Sequence, residues 1–336
     1  MKIDIYTHII PRKYKKALYQ RADSRFFSEN WDKVIDGTPA LSDLNIRLRI
    51  LEKYERLSQV LTIASPALEE VTSPEDAIYL AKIGNDEMAE LVMKYPDKFT
   101  AAIACLPVND MDATLTEAER VINDLDFKGI QLYTPSNGIS LDSPVFFPLY
   151  EMMAEYELTV WIHPARGRHV PDYPGEDHSR YYIYQMFGWP YETTAAMVRI
   201  VFSGIFDKYP GIKFITHHCG AMLPFFSERL VIGQDYAEEN LKAKWKQALK
   251  KQPIEYFKDF YADTALNGNP AALACGYEFF GPERIVFATD YPYDNENGER
   301  FTREVINAVD SLNHDIEEKE MIYHGNAEKI LHLEEH

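Results

Sequence analysis

Eight short apolar runs recur along this chain, and each is followed by a stretch whose apolar residues return at helical spacing. The runs are Ile3–Tyr6, Gln59–Ile63, Thr100–Cys105, Gly129–Leu132, Thr159–Ile162, Lys213–Thr216, Phe257–Ala262 and Ile285–Ala288. Helices are expected over Leu41–Leu57, Ser73–Met93, Met111–Asp124, Phe147–Tyr156, Thr193–Lys208, Met222–Asn240, Pro270–Gly276 and Glu299–Leu312. Ser42, Asp43 and Ser73 stand where N-caps belong, with Glu75 and Asp76 in a first turn. Such alternation calls for a parallel sheet covered by helices. Eight units favour closure into an α/β (β/α)8 TIM barrel over an open doubly wound sheet. No GxGxxG follows the first strand, which argues against a dinucleotide-binding fold. With no internal linker in view, residues 1–336 are expected to form one domain.

Three stretches interrupt the rhythm. Pro11–Pro39 and Ala165–Pro190 read as loops on the carboxyl side of the first and fifth strands, the face where barrels carry their chemistry. Trp245–Lys258 reads as an extra helix. The net charge of −18 argues against nucleic acid or an anionic membrane as a partner. Cys105, Cys219 and Cys275 lack any CxxC pairing, and a strand-like Ile3-Asp4-Ile5 stands in place of a signal peptide. A reducing, cytoplasmic setting is expected. No apolar stretch approaches the ~20 residues of a membrane span.

The functional signal lies at the strand ends. Phe287-Ala288-Thr289-Asp290-Tyr291-Pro292 runs from a short strand into a carboxylate and then a proline turn. His8, His163 and the pair His217-His218 occupy comparable positions. Two imidazoles and one carboxylate make a common catalytic metal site that leaves a position open for water or substrate. Neighbours on a strand face opposite sides, so only one of His217 and His218 is expected to enter the site. Tyr6, two residues before His8, shares its side. Arg166 and the tyrosines after the fifth strand are candidates to neutralise or stack on a planar acid, and Tyr291 is expected to aim Asp290 and to contact substrate.

Taken in order, the motifs resemble the amidohydrolase-related metal-dependent decarboxylases, of the aminocarboxymuconate semialdehyde and resorcylate type. The resemblance begins at Ile3-Asp4-Ile5-Tyr6-Thr7-His8 and runs through Asn85-Asp86, Tyr95-Pro96-Asp97-Lys98-Phe99, Leu106-Pro107 and Phe127-Lys128-Gly129. It continues in Ile162-His163-Pro164, Glu192-Thr193-Thr194, Phe202-Ser203-Gly204, Tyr209-Pro210-Gly211, His218-Cys219-Gly220 with Leu223-Pro224, Ala288-Thr289-Asp290-Tyr291-Pro292 and Gly325-Asn326-Ala327.

The resemblance implies His8, His163 and Asp290 as metal ligands and His218, not His217, as the histidine that activates water or moves a proton. It implies Arg47, with Arg49 as a substitute, as the contact for a substrate carboxylate. It further implies a divalent metal, Zn2+ first with Mn2+ or Mg2+ as alternatives, a small unsaturated or aromatic carboxylic acid as substrate, and a homodimer. Tyr6 departs from the pattern, since relatives place His or Glu there. Either it serves as a weak ligand or hydrogen-bond donor beside three remaining ligands, or the metal is held weakly or lost. Two other functions stay open on the same residues: a metal-dependent hydrolase or hydratase, and a homologue with reduced catalysis.

Overall fold

The computed structural model describes residues 1–333, the side chains at 247 and 248 aside. All eight expected strands are present: β1 (Lys2–Ile9), β2 (Leu57–Ile63), β3 (Phe99–Ala102), β4 (Gly129–Thr134), β5 (Thr159–Pro164), β6 (Lys213–Thr216), β7 (Tyr261–Asp263) and β8 (Ile285–Val286). Every pairing is parallel, in the orders β1-β2-β3 and β4-β5-β6-β7-β8. Backbone hydrogen bonds join these two sheets at both seams. After β3, the Ala104 N–H donates to the Gly129 carbonyl and the Gln131 N–H to the Ala104 carbonyl, each at 2.9 Å. Between the last strand and the first, the Ile5 N–H donates to Phe287 and the His8 N–H to Tyr291, at 2.9 and 2.8 Å. Eight strands joined in a ring are a barrel, the closure that the sequence rhythm favoured over an open sheet.

The barrel interior is filled by Ile3, Ile5, Tyr6, Val60, Ile103, Trp161, Ile215 and Val286, all buried. Ile5 and Tyr6 are neighbours, yet both join this cluster because the β1 register shifts between Asp4 and Thr7. Trp161 is the largest member; its indole N–H donates to the Ile5 carbonyl across the barrel at 3.2 Å. Gly129 makes room for it, since a Cβ there would stand 2.3 Å from the Trp161 ring. A second, larger apolar layer lies between strands and helices. Burying each large side chain in these layers stabilises the fold by about 1.5–3 kcal/mol relative to exposure.

Several boundaries differ from the sequence reading. Phe257 is not in a strand: it ends a short helix, Pro253–Phe257, in which Glu255 accepts from the Gln252 N–H at 2.9 Å. Pro11–Pro39 is mostly helical, with Arg12–Arg21, Ser24–Ser28 and Trp31–Gly37 burying Tyr14, Leu18, Phe26 and Ile35. The helix expected over Leu41–Leu57 is confined to Leu44–Leu51, capped by Asp43 on the Asn45 N–H. Thr193–Lys208 splits into Trp189–Phe202 and Ile205–Lys208 at Gly204, whose φ of 75° breaks the helix. Trp245–Lys258 is a single turn and that short Pro253 helix rather than one element. Among the described residues, no helix is long and apolar enough to cross a membrane.

Candidate metal centre

The strand ends converge as a metal site requires. One nitrogen each from His8, His163 and His217 lies within 4.8 Å of the others, and all three side chains are buried. Asp290, held in a left-handed conformation (φ 62°) just past β8, closes the group. Its Oδ1 stands 3.2 Å from His8 Nε2 and 3.3 Å from His217 Nε2.

Each imidazole is oriented by an acceptor behind it. The Thr62 hydroxyl donates to the Thr7 carbonyl at 3.0 Å, so it can only accept from His8 Nδ1, 3.1 Å away. The Pro164 carbonyl accepts from His163 Nδ1 at 2.7 Å. The Asp263 carboxylate accepts from His217 Nδ1 through Oδ2, while its Oδ1 takes the Cys219 and Ala265 N–H groups at 3.0 Å each. With Nδ1–H engaged, His8 and His163 keep Nε2 as the free nitrogen. Hydrogen bonds of this kind behind an imidazole fix the tautomer that binds metal.

Electrostatics agree with this assignment. Burial, reinforced by the neighbouring histidines, holds His163 well below its usual range; burial also lowers His8, although Asp290 opposes it. Both are therefore neutral donors at pH 7. Burial opposes charge on His217 too, but Asp263 and Asp290 outweigh it and raise that group to about 10. Burial would raise Asp290, yet His217, His218 and His8 together hold it well below the carboxylate range.

The residues fit a divalent cation. His8 Nε2 is buried and has no hydrogen-bond partner, and the nearest polar atom it faces is an oxygen of the anionic Asp290. A lone pair turned on a carboxylate oxygen at 3.2 Å needs a positive centre between or beside the two.

Other expected residues fall differently. The sequence argument admitted only one of His217 and His218, but both reach Asp290. The strand has ended at Thr216, and a left-handed backbone at His218 (φ 55°) turns its ring back to lie 4.0 Å from that of His217. His218 Nε2 is 3.8 Å from Asp290 Oδ2, and the side chain keeps 17% of its surface exposed. It is the solvent-side member of the pair.

Arg47 does not stand in the site as a carboxylate contact. It is fully buried, donates to the His8 carbonyl and at 2.9 Å to Gln59 Oε1, and lies 4.4 Å over the Tyr291 ring. Arg49 is bonded to the Asn45 carbonyl at 3.2 Å on the helix exterior. Tyr291 is likewise buried, and its backbone joins the seam beside Thr7 rather than facing a ligand. Arg166 is partly buried near the mouth and paired with Glu192 at 2.9 Å. Tyr6 lies with its ring 4.2 Å from that of His217; burial first, then Asp263 and Asp290, push its phenol well above 10, so it is a neutral wall of the site.

Asp263 and Thr62 escaped the sequence reading. Asp263 ends its strand as Asp290 follows its own, and the misplaced start of that strand at Phe257 hid it.

A barrel with imidazoles and an aspartate gathered at its carboxyl face is the architecture of a metal-dependent hydrolase or lyase. The chain belongs to the Amidohydrolase family, whose model matches residues 3–333. It is 27% identical to the 2-amino-3-carboxymuconate-6-semialdehyde decarboxylase of Dictyostelium discoideum, over 99% of this chain and 92% of that one. It is 29% identical to the gamma-resorcylate decarboxylase of Polaromonas sp. JS666, over 74% of this chain and 77% of the other. In fold it resembles a dihydroxybenzoic acid decarboxylase structure from Polaromonas sp. JS666 with bound manganese and the inhibitor 2-nitroresorcinol, with a TM-score of 0.79, 24% identity, and 100% and 98% of the two chains covered.

Proposed function

We propose that this protein is a metal-dependent, non-oxidative decarboxylase of a small aromatic or unsaturated hydroxycarboxylic acid. The observation that carries the reading is the unpartnered His8 Nε2 facing Asp290, within a cluster whose imidazoles are each fixed from behind. The relatives named above are decarboxylases, which selects this chemistry from those an amidohydrolase barrel supports.

His8, His163 and Asp290 would hold the ion. The ion would polarise substrate oxygen and stabilise the negative charge that develops as the carbon–carbon bond breaks. His217, bridging Asp263 and Asp290, holds a proton and fixes the Asp290 carboxylate. His218 faces solvent beside Asp290 Oδ2 and is placed to hand a proton to the carbon that loses carbon dioxide. The electron pair of the broken bond stays on that carbon and forms the new C–H bond. Tyr6 and Tyr293, whose ring lies 5.6 Å from that of His8, help keep bulk water from the centre.

Two imidazoles and one carboxylate suit zinc, whereas the similar Polaromonas structure carries manganese. Loading with each ion and measuring carbon dioxide release from hydroxybenzoic acids tests the reading. His218→Ala is expected to keep its metal and lose about 100-fold in kcat. Water addition or ester cleavage without carbon dioxide would overturn it. The three free cysteines fit a reducing compartment, and Phe225, Ile232 and Tyr236, exposed along the helix Leu223–Leu241, offer an apolar face for a homodimer, which light scattering would detect.

A further inference from the structure

A cavity of about 490 Å3 opens beside the metal centre on the carboxyl face of the barrel. Ala165 and Arg166, directly after β5, form one wall together with Trp189, whose ring stands 5.4 Å from that of His163. Trp31 and Glu70 also line it. The volume suits a single substituted ring, and the two indoles offer it apolar faces.

Most charges on this lining are paired with protein groups. Arg25 is held by Asp23 at 3.0 Å, Arg166 by Glu192 at 2.9 Å and His169 by Glu29 at 3.2 Å. Glu69, next in sequence to Glu70, accepts from the Ser136 hydroxyl at 2.7 Å. Among the described residues, the Glu70 carboxyl alone of these makes no hydrogen bond or ion pair, and its side chain stands half-buried in the cavity wall. A ligand that covers such a carboxyl without pairing it strips its water at a cost in free energy, and a ligand that supplies a partner avoids that cost.

We propose that Glu70 is a specificity-determining residue, whose carboxyl meets a hydroxyl or amino group on the part of the substrate remote from the metal-held carboxylate. This rests on the decarboxylase reading for the orientation of the substrate. Burial, and then the charge of Glu69, push the Glu70 carboxyl up to about 8, so near neutrality it can both donate and accept. An acid lacking the remote polar group would leave this carboxyl unpaired on binding, which is the larger penalty in such sites.

The test uses the metal-loaded full chain and three probes: salicylate, and salicylates carrying an amino or a hydroxyl group para to the carboxyl. Trp31 and Trp189 line the cavity, so quenching of tryptophan fluorescence reports binding without turnover. Wild type is expected to bind the two substituted acids about tenfold more tightly than salicylate. Glu70→Gln, which keeps an acceptor and a donor, should retain that preference within about threefold; Glu70→Leu should abolish it, weakening the two substituted acids and tightening salicylate, which no longer covers an unpaired carboxyl. For any probe that is turned over, the change should fall on KM and spare kcat. Equal preference in wild type and Glu70→Leu, or none in wild type, overturns the proposal. Preference without carbon dioxide release from any acid would remove the decarboxylase reading and keep Glu70. Release without preference would do the reverse.

Discussion

Asp4 in the first strand accepts a hydrogen bond from the backbone N–H of Thr289, 2.9 Å away, across the seam where the last strand meets the first. The Thr289 hydroxyl donates to the other oxygen of the same carboxyl. Thr289 immediately precedes Asp290, so this contact ties the aspartate of the candidate metal centre to the strand that carries His8. The same contact closes the barrel and holds Asp290 in place.

Asp4→Ala should therefore destabilise the protein by roughly 2–4 kcal/mol in urea unfolding, because it leaves a buried N–H and hydroxyl without acceptors. Asp4→Asn keeps an acceptor and should cost less. Burial raises Asp4 from 3.8 to about 7, against the opposing hydrogen bonds of Thr289. The folded state thus holds its proton to higher pH than the unfolded chain does. The corresponding stability is present below about 4 and lost as pH rises to about 7. Asp4→Asn should flatten that part of the profile; an unchanged slope would remove Asp4 as its source.

Thr62→Val tests the orientation of His8. Without the hydroxyl at 3.1 Å, Nδ1 loses its acceptor and the ring its fixed tautomer. Metal affinity, measured by competition with a chelator, should fall about 10-fold or more while the fold is retained. Unchanged affinity would mean that the Thr62 contact does not organise the ligand.

Arg47→Met separates a structural role from a substrate contact. Its guanidinium anchors the His8 carbonyl and Gln59 from a fully buried position. The variant should lower stability by roughly 2–4 kcal/mol, read in urea, with a smaller effect on KM. A raised KM at full stability would return Arg47 to the substrate.

Much of this was legible in the sequence because it depends on local rules. Short apolar runs between helical patterns placed all eight strands, and Asp290 and His163 stood out as polar residues where apolar strands end. The misreadings share a physical cause. His218 escapes strand alternation through a left-handed backbone that no local pattern announces. Phe257 is apolar, but Glu255 and Pro253 make it the end of a helix. Arg47 looked like a contact for a substrate carboxylate. Its burial against Gln59 and Tyr291 is set by the meeting of three distant segments. The helices within Pro11–Pro39 were within reach, since Tyr14, Ala17 and Leu18 already show helical spacing.

Metal stoichiometry is the most direct test of the convergence of His8, His163 and Asp290. Wild type and His163→Ala would each be equilibrated with zinc or manganese, freed of excess ion and analysed for metal per chain. The expected result is about one tightly held ion in wild type and almost none in His163→Ala, with both proteins folded by circular dichroism. Wild type that retains neither ion, or a His163→Ala protein that retains as much as wild type, would contradict it.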